Sequence, residues 1–320
     1  MNNSKPEPGL KWIWTALRVI IGVVLIAFLL WKLNLGRILE HVRAMDIRYL
    51  IAAMATYFAF IMISAWRWQI LLDRKKIVIP FGRTVAIYFI SLFFNNVFPT
   101  TIGGDVTRVL YAAPERKAES LATVFADRIM GFIGLFIFSL GWVLYIMVFL
   151  GRTEFLLFVI VGLVLLLLIT YILFSEKVYL FFAPLVEKIK IFRIGERLSN
   201  LHKTMTDFGG AWGVITLCVI QSIVMQALLA FAPLLVLRSM GDYKLGIVPF
   251  FLYVPIINII SMIPVSFNAL GVRENAYVLL FSRVGLEGAV SFTMSIISFF
   301  LVFIYSLVGG VCFIFYRRKR

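Results

Sequence analysis

Nine polar or charged side chains stand in or beside apolar runs of this sequence: Asn95, Asn96, Asp105, Arg108, Asp127, Arg128, Asn268, Arg273 and Glu274. An arginine presents five N–H donors in a planar fork, an asparagine both donates and accepts, and a carboxylate only accepts. Together they suit recognition by hydrogen bonding, with the arginine forks matched to phosphate or carboxylate oxygens. The acids beside the glycine turns are single and accompanied by arginine, so they offer no acidic metal site. His41 and His202 lie in charged connecting segments, and Cys218 and Cys312 sit inside apolar runs. That distribution supplies neither a Cys/His metal centre nor a disulfide framework, and no cofactor is expected.

Seven of the nine residues fall into two sets of similar design. In the first, an apolar run ends in Asn95-Asn96-Val97-Phe98-Pro99, and Gly103-Gly104-Asp105 leads on to Arg108. In the second, an apolar run stops at Pro264, and Asn268 and Gly271 lead on to Arg273-Glu274. Arg108 follows Pro99 by nine positions, and Arg273 follows Pro264 by nine. Proline and paired glycines interrupt a helix. Pro99, Gly103, Gly104, Pro264 and Gly271 are therefore expected to shape backbone turns, with Asn95, Asn96 and Asn268 supplying neutral hydrogen bonds. Each arginine follows a turn that can open a helix, whose positive end would face a cavity.

Asp105 and Arg108, three apart, share a helical face. Arg273 and Glu274 are adjacent, so their side chains diverge by about 100° on a helix. Glu274 is thus expected to pair elsewhere or to meet a cationic group. Asp127 and Arg128 open the following span and are expected to line the same cavity. Gln221 and Gln226, within an apolar run, suit hydrogen bonds between helices.

The elements that must carry these residues follow from composition. Of 320 residues 62% are hydrophobic and 15% charged, against about 45–50% and 25% in soluble domains. The surplus has to face lipid, so the chain is expected to be an all-α polytopic membrane protein. The net charge of +15 fits the positive-inside bias and contact with anionic lipid. Nucleic acid is not an expected partner, because no basic soluble domain exists to carry it.

Full spans are expected at 12–31, 49–72, 126–150, 155–174, 211–237 and 288–316. Residues 33–48 read as an interfacial helix. The linker 175–210, amphipathic and basic, reads as a cytoplasmic surface segment. The apolar runs 85–98 and 247–263 are shorter than the roughly 20 residues a span needs. The order span, short run, span occurs twice, around 49–150 and 211–316. The basic loop Asp73-Arg74-Lys75-Lys76 and the tail Arg317-Arg318-Lys319-Arg320 belong on the cytoplasmic side. The first short run then enters from the cytoplasm and the second from outside. The expected architecture is a single transmembrane domain over 1–320, of about six full helices. Two oppositely oriented re-entrant hairpins complete it as an inverted repeat, with both termini cytoplasmic; the alternative is eight full spans. Paired interrupted segments in inverted halves point to a transporter site near the midplane.

The residues 95–99, Gly103-Gly104-Asp105 with Arg108, Asp127-Arg128 and Leu270-Gly271-Val272-Arg273-Glu274 together resemble the membrane region of lysylphosphatidylglycerol synthases, the flippase-like domain. The resemblance runs from about residue 12 to 316. It implies a stand-alone member lacking the soluble synthase domain, placed in the cell membrane. It also implies a lipid flippase that moves a phospholipid or polyprenyl-linked lipid between leaflets. Two other readings remain: a membrane-embedded enzyme acting on a lipid carrier, and a non-transporting partner of a lipid-modifying enzyme. The loops are short and carry no recognisable catalytic motif, so no enzyme activity is expected.

Overall fold

The computed structural model describes residues 20, 23–29, 31, 35–97, 102–174, 210–263 and 265–316. Every regular element among them is helical. In chain order these are α1 (Leu35–Arg43), α2 (Ile47–Arg74), α3 (Phe81–Val97), α4 (Ile102–Ala112), α5 (Lys117–Leu150) and α6 (Leu156–Phe174). After the linker come α7 (Trp212–Ser239), α8 (Val248–Ser261), a 3-10 turn (Phe267–Ala269), α9 (Val272–Ser282) and α10 (Gly288–Phe315). The expected first span lies mostly outside the described residues, as do Pro99, Pro264 and almost all of the 175–210 linker.

Among the described residues four helices, α2, α5, α7 and α10, are long and apolar enough to cross a membrane. At 28 residues and 1.5 Å per residue, each of the shorter three reaches about 42 Å, beyond the ~30 Å of hydrocarbon. Large apolar side chains stay exposed along them, including Ile51, Phe58, Val148, Phe149, Ile220 and Phe300. A soluble protein would not leave so wide an apolar surface in water.

Two boundaries differ from the sequence expectation. The polar stretch after Gly104 is helical as α4, and α5 begins at Lys117 rather than at 126. Charged residues do not oppose helix formation when tertiary partners take up their charge, and Asp105, Arg108 and Asp127 all find such partners. Gly103 and Gly104 accordingly lie in the first turn of α4, not in the loop expected of them. Gly271 does sit at a turn: its φ of 81° marks the N-cap of α9.

Both interrupted segments double back. Arg108 of α4 lies 5.2 Å from the ring centroid of Tyr88 in α3. Twenty residues of straight helix would separate them by about 30 Å. Likewise Phe281 of α9 lies 5.0 Å from Phe250 and 5.6 Å from Tyr253 of α8. An aromatic ladder, continued by Tyr277 stacked on Phe281 at 5.6 Å, thus staples α8 to α9.

The described residues group into two compact units. One takes in the residues up to Tyr57, 95–102 and 229–305; the other takes in 58–94, 103–228 and those from Ser306 on. In the second unit Trp68 and Leu72 of α2, Ile87 of α3, Ala112 of α4 and Val124 of α5 share one buried cluster. Glycines set the closest approaches there. A Cβ on Gly134 of α5 would lie 2.2 Å from the Ser222 Cβ of α7. One on Gly309 of α10 would lie 1.9 Å from the Phe89 carbonyl oxygen of α3. Small residues at such crossings let helix backbones pack closely where lipid supplies no hydrophobic drive.

Candidate functional site

Eight of the nine expected residues separate into two constellations, one in each unit; Asn95, next to Asn96 on α3, does not line the cavity of the second. The first is an ionic cluster built on α2, α4 and α5. Asp127 is buried, 3% exposed, and both its oxygens are engaged. Arg67 Nε donates to Oδ1 at 2.7 Å, and Arg108 Nη2 donates to Oδ2 at 2.8 Å. Arg67 also donates through Nη1 to the Ser222 hydroxyl at 2.6 Å, which the Gly134 crossing brings within reach. Arg128 Nε donates to Asp105 at 2.5 Å. The Asp105–Arg108 pair that the three-residue spacing favours stands at 4.0 Å. Cross-helix partners win because each offers a short, aligned, charge-assisted bond, whereas the local pair is held at the rim of contact.

Arg108 is further held by aromatic faces. Its guanidinium lies 4.3 Å from the Trp68 ring centroid as well as over Tyr88, and the residue is 4% exposed. Two aspartates among three arginines leave the cluster one positive charge in excess. Arg67, inside the span expected at 49–72, is the member that sequence reasoning missed, because Trp66 and Trp68 on either side of it look like an interfacial girdle. The available signal was the apolar run Ile70-Leu71-Leu72 beyond it, which puts Arg67 within the span instead of at its edge.

The second constellation forms in the other unit, where the two broken segments meet. Asn268 Nδ2, in the turn before α9, donates to Asn96 Oδ1 near the end of α3 at 2.8 Å. The turn is conformationally unusual: Asn268 and Ala269 adopt φ of 48° and 57°. Asparagine tolerates the left-handed region, but alanine there is strained, and such strain concentrates at functional sites. A cavity of about 190 Å³ opens beside the amide pair, lined by Asn96, Asn258, Asn268, Arg273, Ser295 and Tyr57 among others.

Glu274 departs from expectation. Although adjacent to Arg273, it accepts from that residue's Nη2 at 2.7 Å and Nε at 3.0 Å. The physical cause is the helix start. At the third position of α9, Glu274 reaches back to accept the Gly271 N–H at 2.6 Å, and the Arg273 side chain follows it. The pair is capped by Phe299, whose ring centroid lies 4.7 Å from the Arg273 guanidinium carbon. Glu274 is fully buried, whereas the Arg273 side chain keeps 20% exposure and reaches the cavity.

Asn258 and Ser295 also line the cavity without having been expected there. The signals were legible in kind: one asparagine amid Ile256-Ile257 and Ile259-Ile260, and serines at 291, 295 and 298 along one face of α10. Gln221 departs in the other sense. It is 5% exposed, yet neither end of its amide finds a partner among the described residues, and Gln226 Oε1 likewise finds none.

Residues 15–310 match the family model described as the lysylphosphatidylglycerol synthase TM region. The chain belongs to that family. It is also similar to the UPF0104 membrane protein PH1989 of Pyrococcus horikoshii, at 32% identity over 190 residues. That match covers 55% of this chain and 55% of the relative, so the chain spans about half the length of the curated relative it matches. No solved structure matches. Family membership and the long apolar helices together make this a multi-pass membrane protein.

Proposed function

We propose that this member of the family moves a lipid between leaflets, with the cavity beside Asn96, Asn268 and Arg273 receiving its head group. The observation that carries the reading is the hydrogen bond from the Asn268 side-chain amide to that of Asn96. It ties the broken end of one apolar segment to the broken turn of the other, beside a polar cavity within hydrophobic surroundings. Polar side chains are expensive in hydrocarbon and gather where a polar path is needed. Discontinuous helices at such a point are how secondary transporters build midplane sites.

On this reading the doubled-back pairs α3–α4 and α8–α9 are re-entrant hairpins entering from opposite faces, in inverted halves over about 49–150 and 211–316. Both termini are cytoplasmic, in the cell membrane, given the basic residues at 74–76 and 317–320. No bond is made or broken, so the protein acts without enzyme activity. Its substrate is a phospholipid or polyprenyl-linked lipid. Arg273, Asn96 and Asn268 contact the head group. Asp105, Arg108, Asp127 and Arg128 hold α4 against α2 and α5.

The test is lipid translocation in liposomes carrying the purified full chain. Arg273→Gln removes the charge but leaves donors for Glu274. A lost charge-assisted hydrogen bond is worth roughly 1.5–3 kcal/mol, so translocation should slow about 10- to 150-fold. Normal translocation by this variant, with an unchanged melting temperature, would remove Arg273 from the site.

A further inference from the structure

We infer that the group the cavity receives is uncharged and rich in hydroxyls, a glycosyl or glycerol head group in place of a cationic aminoacyl or bare anionic one. The inference rests on the head-group reading above but not on the lipid named there: it concerns the unit that enters the cavity, and takes a neutral glycolipid in place of a phospholipid or polyprenyl-linked lipid. Among the described side chains facing the cavity, Arg273 carries the single formal charge. That charge is already matched by Glu274, which lies directly behind it and is fully buried. The remaining polar lining is neutral: Asn96, Asn258, Asn268, Ser295 and Tyr57 among others.

Each class of head group meets this lining differently. An anion bridging to Arg273 would also approach the Glu274 carboxylate, in surroundings where little water screens the repulsion. A cationic head group would need Glu274, which is fully buried and already paired with Arg273. Oε2 takes the Gly271 N–H, while Oε1 takes two bonds from Arg273 and lies 3.4 Å from the Ser295 hydroxyl. Burying either ion would leave one charge uncompensated, which is costly.

A hydroxyl both donates and accepts, as do the amides and hydroxyls that line the site. Arg273 uses Nε and one N–H of Nη2 on Glu274, and a guanidinium has five N–H groups. Three are left to donate to neutral oxygens. Tyr57 and Tyr277 also line the cavity. A space of about 190 Å³ suits a glycerol or a single sugar ring.

The experiment compares three labelled probes: a monohexosyl diacylglycerol, lysylphosphatidylglycerol and phosphatidic acid. The full chain is studied in phosphatidylcholine liposomes for translocation and in nanodiscs for equilibrium binding. The hexosyl lipid should bind at least about tenfold more tightly than either charged lipid, because it offers several hydroxyls to the neutral lining and brings no unmatched charge. Preferential binding of a charged lipid, equal binding of all three, or no binding would overturn the inference. If the hexosyl lipid binds selectively but nothing crosses, the substrate class stands and the transport reading fails. If a charged lipid crosses fastest, transport stands and the class fails. Asn258→Ala guards against a folding artefact: it removes one lining amide and should weaken hexosyl binding about fivefold or more with the melting temperature retained. Undiminished binding by that folded variant would also overturn the inference.

Discussion

Arg108 and Arg273 each stand nine residues after a proline, yet their surroundings diverge. Arg108 takes its acid from another helix, Asp127 of α5, and lies between two aromatic rings, 4% exposed. Arg273 takes its acid from the next residue in the chain, rests on a single ring and keeps 20% of its side chain exposed beside a cavity. A cation with a cross-helix carboxylate joins elements together. A cation neutralised by its neighbour contributes little to joining elements and is left to serve whatever occupies the space in front of it. The repeated sequence pattern therefore supports two tasks, holding a hairpin in one unit and handling a ligand in the other.

The comparison breaks most sharply at Asp127. Asp127→Ala leaves Arg67 and Arg108 side by side, both buried. Removing one partner of a buried ion pair costs about 3–5 kcal/mol, and here two cations lose the same partner. We expect a large fall in melting temperature, or failure to accumulate in the membrane. A variant that melted like the wild type would show that Asp127 is not the anchor of the cluster.

The second effect belongs to the other constellation. Arg273→Gln should slow translocation about 10- to 150-fold and shift the melting temperature far less than Asp127→Ala. Measured together, the two variants give opposite patterns of stability and transport. Equal patterns would mean that both arginines do the same job.

A third, smaller effect tests how the cluster is assembled. Gly134→Ala would put a methyl 2.2 Å from the Ser222 Cβ, so α5 and α7 must separate or shift. Overpacking of this kind typically costs about 1–3 kcal/mol. It should also carry Ser222 away from Arg67, so Ser222→Ala added to Gly134→Ala should cost less than it does alone. Strict additivity of the two losses, read from thermal unfolding, would separate the crossing from the Arg67 hydrogen bond.

Much of this was legible in the sequence because it depends on local chemistry. Long apolar runs specify α2, α5, α7 and α10, and the interruptions at 98–104 and 264–271 mark where the chain must turn. Asn96, Asn268 and Arg273 were recognisable because polar groups beside a break in an apolar run need a reason to be there. What could not be read is which acid each arginine takes. Spacing favours Asp105 for Arg108, but the choice between Asp105 and Asp127 depends on the distance between helices, set by side chains such as Trp68 and Gly134. Arg67 was hidden by the same dependence, since tryptophans on either side of it imitate an interfacial girdle. The Glu274–Arg273 pairing was misread because ideal helical angles do not hold at a helix start, where a side chain turns back to cap.

The smallest effect concerns Gln221, in the same unit as the ionic cluster. It is 5% exposed, and both ends of its amide lack a partner among the described residues. A buried polar group without a bond carries its desolvation cost uncompensated, about 1–3 kcal/mol. Leucine approximates the shape of glutamine and has no such cost. Gln221→Leu should therefore raise the melting temperature by a few degrees, about 1 kcal/mol in stability, and leave translocation as it was. This outcome fits a unit whose polar groups serve structure alone. A rise in stability accompanied by a loss of transport would mean that Gln221 trades stability for contact with something that moves past it. The ligand-handling task would then extend into the unit assigned here to holding the hairpin. A fall in stability would mean instead that water or lipid satisfies the amide, and the unit would not be sealed at α7.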